Sequence, residues 1–359
     1  RHISCNQRGL KPLSLAYQGW LCNSDARLLH VQVSSEFPKS MAEPPGDRIL
    51  VTGALGQIGS DLVEALRTRH GTDKVIATDV REVPGHPFLE DGPFRLLSVL
   101  DGDGMDAAVR EEEVGTIYHL AAILSATGEK LPELCHRVNV GGTICVLETA
   151  RNYGLRVFAP SSIAVFGPDC PSIAPQEAPL NPTTNYGRTK VAGEAMAVNY
   201  WKQYGVDSRG IRYPGLISWK APAGGGTTDY SVEIFHAALK SGHYECFVRA
   251  DTHLPMMYID DGIRATTDLM EAPVESIGPA RGGYNISGLS FSAQELADAI
   301  AERVDGFTCD FVPDERQAYA DSWPNAIDDS AAREDWGWKA EYDIGRLVDE
   351  MLDRLGAQS

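Results

Sequence analysis

Tyr186 and Lys190 stand four residues apart in a stretch of helical periodicity over 184–204, so both project from one face of a single helix. That pairing is a way to make tyrosine a base. A phenol of pKa about 10 is nearly inert at neutral pH, and bringing it to about 7 takes roughly 4 kcal/mol of differential charge stabilisation. A fixed lysine ammonium and the positive charge of a bound cofactor can supply it. Alone, the spacing is commonplace on helix surfaces. Ser161 and Ser162 add weight, because they follow an apolar run at 155–160 and so stand at the C-terminal end of a strand, where a hydroxyl can polarise a substrate oxygen. Ser162, Tyr186 and Lys190 are the candidate catalytic set, for proton removal from an alcohol.

Such a reaction needs a hydride carrier, and Arg48–Gly59 (RILVTGALGQIG) has the form of its binding site. Ile49, Leu50 and Val51 read as a short buried strand, and Gly53, Gly56 and Gly59 recur every three residues as the chain turns into a helix over 57–69. Gly53 permits the tight turn, Gly56 lets the backbone approach a pyrophosphate, and Gly59 lets the helix lie close to the strand. Gln57 and Ile58 open the helix whose first N–H groups hold the anion. A second apolar run, 74–78, ends on Asp79, 26 residues after Gly53, where an acid binds the adenosine ribose hydroxyls and repels a 2′-phosphate. The cofactor expected is NAD. Asp101 either reaches an adenine edge or is a solvated loop acid.

The elements that position these residues alternate. Strands at 48–52, 74–78, 94–99, 116–121 and 155–160 are separated by helices near 57–69, 103–112 and 132–153, which predicts an α/β fold with a Rossmann-type, doubly wound parallel sheet. Past residue 213 the composition changes: a Gly-Gly-Gly run at 224–226 precedes helices near 231–241, 261–271, 292–303 and 344–355 and strands near 244–249, 255–259 and 284–287. The expected organisation is a disordered extension over 1–46, an NAD-binding domain over 47–213 rejoined by parts of 255–290, and a smaller substrate-binding lobe made mainly of 214–359. In the extension, Arg1, Arg8 and Lys11 precede the first acid, Asp25, which suits an organelle transit peptide or sequence upstream of Met41; the second is preferred.

A formal charge of −18 would repel nucleic acid and anionic membranes, so neither is an expected partner. No apolar run approaches the roughly 18 residues of a membrane span. The seven cysteines (5, 22, 135, 145, 170, 246 and 309) are odd in number and scattered, which implies reduced thiols and a cytoplasmic location, or the mitochondrial matrix if residues 1–40 are a transit peptide. No H-E-x-x-H and no Cys/His cluster is present, so no metal is expected.

The glycine trio, Asp79, His119-Leu120-Ala121-Ala122, Asn139 in NVGGT, Ser161–Gly167, Tyr186 with Lys190, and Tyr213-Pro214-Gly215 together resemble the extended short-chain dehydrogenase/reductase family from about 48 to 260. Within it, PSSIAVFGP (160–168), GGGTTDY (224–230), and DSWP (321–324) with Asp328-Asp329-Ser330 resemble the short-chain-type L-threonine 3-dehydrogenases. The resemblance implies that Tyr186 is the acid/base, that Lys190 lowers its pKa and holds the nicotinamide ribose, that Ser162 binds the reacting oxygen, and that Asn139 supports a proton relay. Leu120, Ala121, Ala122, Tyr213 and Leu216 would join Asn139 along the cofactor. It further implies that Ser125, Thr227 and Trp323 line the amino-acid pocket, with Thr228 competing with Thr227. Each has a plainer reading: a cap, a turn hydroxyl, lobe packing. Phe166 departs from the Tyr of many relatives. A homodimer and a coenzyme A-dependent ligase acting on the product are the partners implied. The rival readings are a nucleotide-sugar epimerase or dehydratase, whose substrate diphosphate would need Arg249, Arg264, Arg281, Arg303 or Arg316, and an inert NAD sensor.

Overall fold

The computed structural model describes residues 42–220 and 226–357; the expected disorder before residue 42, and the expected loop glycines Gly224 and Gly225, lie outside these. From Arg48 the chain forms β1 (Arg48–Thr52), α1 (Gln57–His70), β2 (Val75–Asp79), the short α2 (Pro87–Glu90), β3 (Phe94–Leu96), α3 (Gly102–Glu111), β4 (Val114–His119), α4 (Ser125–Lys130), α5 (Pro132–His136), α6 (Gly142–Tyr153), β5 (Arg156–Phe158), β6 (Ser161–Ser162), β7 (Ile173–Ala174), α7 (Asn185–Tyr204) and β8 (Ser208–Arg209). Six strands make one parallel sheet in the order β3-β2-β1-β4-β5-β8. Every residue of β2 and β4 is buried, as a sheet covered by helices on both faces requires. The chain runs outward from β1 through β2 and β3, then crosses back to β4 on the other side of β1. At that switch point the strand ends leave a crevice.

The second half adds β9 (Ile211–Tyr213), β10 (Gly215–Ile217), α8 (Tyr230–Ser241), β11 (His243–Cys246), β12 (His253–Tyr258), α9 (Ile259–Glu271), β13 (Tyr284–Asn285), β14 (Leu289–Ser292), α10 (Ala293–Ala301), β15 (Thr308–Phe311), α11 (Arg316–Ala320), β16 (Ala326–Ile327), α12 (Ser330–Trp336) and α13 (Ile344–Gly356). β13 pairs with β9 and β9 with β6, so residues 284–285 sit beside the first half. One buried cluster joins Val51, Leu62 and Leu66 to Tyr230, Phe235, Leu347 and Met351. The residues after 213 are thus layered on the nucleotide half through a shared core. Residues 42–46 belong to that packing too: the Ala42 carbonyl lies against Gly154, and that of Gly46 against Gly115.

Several expected elements end early, each for a local reason. β3 stops at Leu96, because the Ser98 hydroxyl and carbonyl accept the N–H groups of Leu100 and Asp101 and turn the chain toward α3. β4 stops at His119, because the N–H groups of Leu120 and Ala121 turn to the Thr52 carbonyl and hydroxyl. The run at 155–160 splits at Pro160, and β6 leaves the main sheet to pair with β9. The helix expected over 132–153 is interrupted by a π-helical segment, Arg137–Gly141, that holds Asn139. π segments of this kind gather at functional sites.

Candidate active site

The turn after β1 is shaped by the absence of side chains. Gly53 takes φ +69°, and a Cβ there would lie 2.8 Å from the Ala121 nitrogen; one on Gly59 would lie 2.3 Å from the Gly53 carbonyl. Gly56 precedes α1, which starts with neither a side-chain cap nor an acid in its first turn. An uncapped helix start beside a bare backbone turn is an anion site. Asp79, 8 % exposed at the end of β2, accepts the Leu55 N–H of that turn at 3.2 Å and the Val80 N–H at 2.9 Å. Its carboxylate therefore stands over the glycine turn. The cradle suits a dinucleotide: pyrophosphate at α1, ribose at Asp79.

The catalytic set comes together from β6 and α7. Thr184 caps α7, its hydroxyl accepting the Gly187 N–H at 3.0 Å, and Gly205 closes the helix in the left-handed conformation. Lys190 Nζ lies 5.6 Å from the centre of the Tyr186 ring and donates to the Pro160 carbonyl at 2.8 Å. The Ser162 hydroxyl accepts the Ala164 N–H at 3.2 Å, close enough to Tyr186 to act on its phenol. Burial pushes the phenol up to about 12, with Ser162 pulling it back down, and lowers Lys190 to about 8. In the protein alone, burial thus outweighs the lowering expected from Lys190. Ionising a phenol at about 12 near neutral pH takes on the order of 7 kcal/mol, so the charge of a bound cofactor must contribute.

Behind the pair, the Asn139 side chain accepts the Ile123 N–H at 2.8 Å and donates to the Ile123 carbonyl and the Thr189 hydroxyl, both at 3.0 Å. It ties the loop after β4 to α7. His119 is held between Thr52 on Nδ1 and Thr143 on Nε2, and burial, helped by the Lys190 charge, holds it neutral down to about pH 3. Glu129, absent from the sequence reading, accepts the Tyr186 N–H at 3.2 Å and the Asn185 amide at 3.0 Å. A carboxylate at the first turn of the catalytic helix also suits its dipole. Its partners lie 56 and 57 residues away, so nothing local announces it.

The remaining expected residues divide. Leu120, Ala121 and Ala122 form the half-buried strand exit facing the Gly53 turn. Asp101 is exposed and caps α3, its carboxylate accepting the Gly104 N–H at 3.0 Å. The Tyr213 ring is buried against Phe158 with its hydroxyl on Thr266, and its main chain pairs with Ser162 of β6. Leu216 is half-buried beside Gly262. Ser125 opens α4, half-buried, one turn before Glu129. Thr227 is buried; Thr228 is half-buried, lies beside Gly215 and supplies its carbonyl to Ser231. Gly226 gives its N–H to Asp229 at 2.7 Å. Trp323 packs both on the main core and on the small cluster of Ile163, Val165 and Phe166 that follows Ser162. Phe166 itself is buried in that cluster under the Arg212 guanidinium.

The chain is 45% identical over 322 residues to a mitochondrial L-threonine 3-dehydrogenase of Bos taurus, a match that covers 89% of this chain and 86% of that one. A monomeric L-threonine 3-dehydrogenase from a metagenome, solved in its apo form, aligns at 51% identity with a TM-score of 0.82, over 86% of this chain and 99% of the other. The holo form of a GalE-like L-threonine dehydrogenase from Cupriavidus necator aligns at 49% identity with a TM-score of 0.83, over 86% and 99%. The family whose pattern matches residues 49–287, from β1 through α7 to just past β13, is the NAD dependent epimerase/dehydratase family, and the chain belongs to it.

Proposed function

We propose that this NAD-dependent oxidoreductase acts on L-threonine, oxidising C3 to give 2-amino-3-oxobutanoate and NADH, a step of threonine catabolism toward glycine. Bound NAD supplies the hydride acceptor and a positive ring that favours a nearby phenolate. Tyr186 takes the proton of the C3 hydroxyl, and Ser162 holds that oxygen in place. Lys190 spends one donor on Pro160 and keeps two for the ribose. Ser125 and Thr227, or Thr228, offer small hydroxyls to the carboxylate and ammonium, and Trp323 closes the pocket.

One observation carries this substrate class over the nucleotide-sugar reading. A diphosphate needs uncommitted cations, yet each basic residue considered for it is already engaged: Arg249 with Asp321, Arg264 with Asp261, Arg281 with Asp207, Arg303 with Asp349 and Arg316 with Asp314. The intact Ser162, Tyr186 and Lys190 set speaks against an inert sensor. The test is NADH formation against a panel of L-threonine, L-allo-threonine, L-serine and UDP-sugars. Strong reduction of NAD with L-threonine is expected, weak with L-serine, which lacks the methyl, and little with the allo diastereomer. Turnover of a UDP-sugar and none of threonine would overturn the assignment.

A homodimer is the assembly we propose from the resemblance, and light scattering separates it from the monomer that one similar structure represents. The product is a 2-amino-3-oxo acid, so a coenzyme A-dependent ligase is the enzyme proposed to consume it. Free thiols at 135, 145, 170, 246 and 309 support a reducing compartment, the cytoplasm or the mitochondrial matrix. No helix among the described residues is long and apolar enough to cross a membrane.

A further inference from the structure

Tyr186, Lys190 and Glu194 follow one another at four-residue spacing along α7, and the third has no part in the chemistry above. Glu194 is 7 % exposed. Its Oε1 accepts the Ser161 hydroxyl at 2.5 Å and Arg212 Nε at 2.9 Å, and its Oε2 accepts Arg212 Nη2 at 2.7 Å. Arg212, on β9, is equally buried and spends Nη1 on the Gln176 carbonyl at 2.9 Å and on Asn285 Oδ1 at 3.1 Å. The Asn285 amide then donates to the carbonyls of Ala174 at 3.1 Å and Asp328 at 3.2 Å, where β7 pairs with β16.

The two residues just before Ser162 are therefore both tied to α7, Pro160 through Lys190 and Ser161 through Glu194. We propose that Glu194, anchored by Arg212, is a positioning residue for the reaction: through Ser161 it sets Ser162 against Tyr186, and it stands one turn from Lys190 on α7. A buried ion pair is weak evidence for stability, because desolvation offsets the attraction. One that hydrogen-bonds the neighbour of a catalytic serine and lies one turn from a catalytic lysine has a positional reason to exist. The same pair also reaches Asn285 and Asp328, so the segment after Trp323 is joined by an unbroken run of hydrogen bonds to Ser161, the residue before Ser162.

The charge effect has a defined sign. The titratable groups facing Lys190 are Tyr186 and Glu194 on α7, His119 on β4 and Cys135 on α5, with Arg212 on β9 acting on Glu194. Burial lowers Lys190 to about 8, and Cys135 and, after it, Glu194 raise it against that trend. Without the Glu194 charge, Lys190 loses its proton at lower pH.

This inference rests on the proposed reaction, and its test separates the two. Ser161→Ala removes the hydroxyl contact and leaves the Arg212 pair intact; kcat for L-threonine should fall about tenfold, with KM and the Kd for NAD within about twofold of wild type. Glu194→Gln keeps an acceptor for Ser161 and removes the charge. The alkaline limb of kcat, and the pH above which NAD binding weakens, should both move down by about 1 unit. A purely structural strut would lower Tm and leave both limbs in place. Wild-type kcat in Ser161→Ala together with an unshifted NAD-binding limb in Glu194→Gln would overturn the proposal. If Glu194→Gln does not fold, unchanged kcat in Ser161→Ala alone overturns it. A wild type that binds NAD but makes no NADH from threonine counts against the substrate and not against Glu194, because the NAD titration still reads Lys190.

Discussion

The glycine turn and the start of α7 are built differently. Around Gly53 and Gly59 the backbone comes so close to itself that a Cβ would lie within 3 Å of main-chain atoms, and the groups offered to a ligand are backbone N–H groups and the Asp79 carboxylate. Around Tyr186 most contacts are made by side chains, with Ser161, Asn139, Thr189, Glu194 and Arg212 all buried and hydrogen-bonded, although at Gly187 a Cβ would lie 2.1 Å from the Ala164 carbonyl. In the proposed reaction the first arrangement would hold the cofactor and the second would move the proton. Substitutions in the two regions should therefore separate binding from turnover.

The largest effect expected is on the catalytic side. Tyr186→Phe removes the group that takes the proton while keeping the buried ring, so kcat should fall by roughly 10²–10⁴ with the Kd for NAD nearly unchanged. Steady-state kinetics with L-threonine, read beside NAD binding by fluorescence, tests both halves. Near-normal turnover would mean that another base operates. A parallel loss of NAD affinity would blur the division between the two regions.

A smaller effect, confined to binding, is expected at Asp79. Its carboxylate is held over the turn by the N–H groups of Leu55 and Val80, aimed where a ribose would lie. Asp79→Ala should raise the Kd for NAD by about tenfold or more, as the loss of charge-assisted hydrogen bonds implies, and relax the preference over NADP. The saturated kcat should hold. Arg81 sits 3.6 Å from Asp79 on the solvent side and would meet a 2′-phosphate once the carboxylate is gone. An unchanged ratio of kcat/KM for the two cofactors would assign ribose reading elsewhere.

How far the molecule could be read from its sequence follows the same division. Gly53, Gly56, Gly59 and Asp79 were legible because their signal is local: a missing side chain matters only to the turn that contains it, and three-residue spacing displays it. Tyr186 and Lys190 were legible because a helix converts four-residue spacing into proximity. Glu194 continues that spacing and could have been found by extending it one more turn. Glu129, Arg212 and Asn285 could not, since their partners lie 56, 18 and 43 or more residues away in sequence and only the fold brings them together. The boundary at 213 was read from composition, which does not register a core that Val51 and Leu66 share with Phe235 and Met351. β3 was overextended because Leu97 and Val99 stay buried on either side of Ser98, where the chain turns.

The smallest effect, at Asp101, asks whether that residue belongs to the cofactor side at all. Its sequence position, just past the third strand, fits a contact with an adenine edge. In the structure its carboxylate faces its own helix, accepting the Gly104 N–H at 3.0 Å, with no room for a larger residue at 104, where a Cβ would lie 2.4 Å from Asp101 Oδ2. A cap of this kind is worth about 1 kcal/mol, and Asn serves nearly as well as Asp. Asp101→Ala should therefore lower Tm by about 2 °C in a chain of this size, Asp101→Asn should restore it, and neither should change the Kd for NAD by more than about twofold. Thermal melts of the two variants, with and without NAD, decide the matter. If the Kd instead rises severalfold in Asp101→Ala while Tm holds, the residue reads adenine, and the cofactor site extends past the glycine turn and Asp79 to the start of α3.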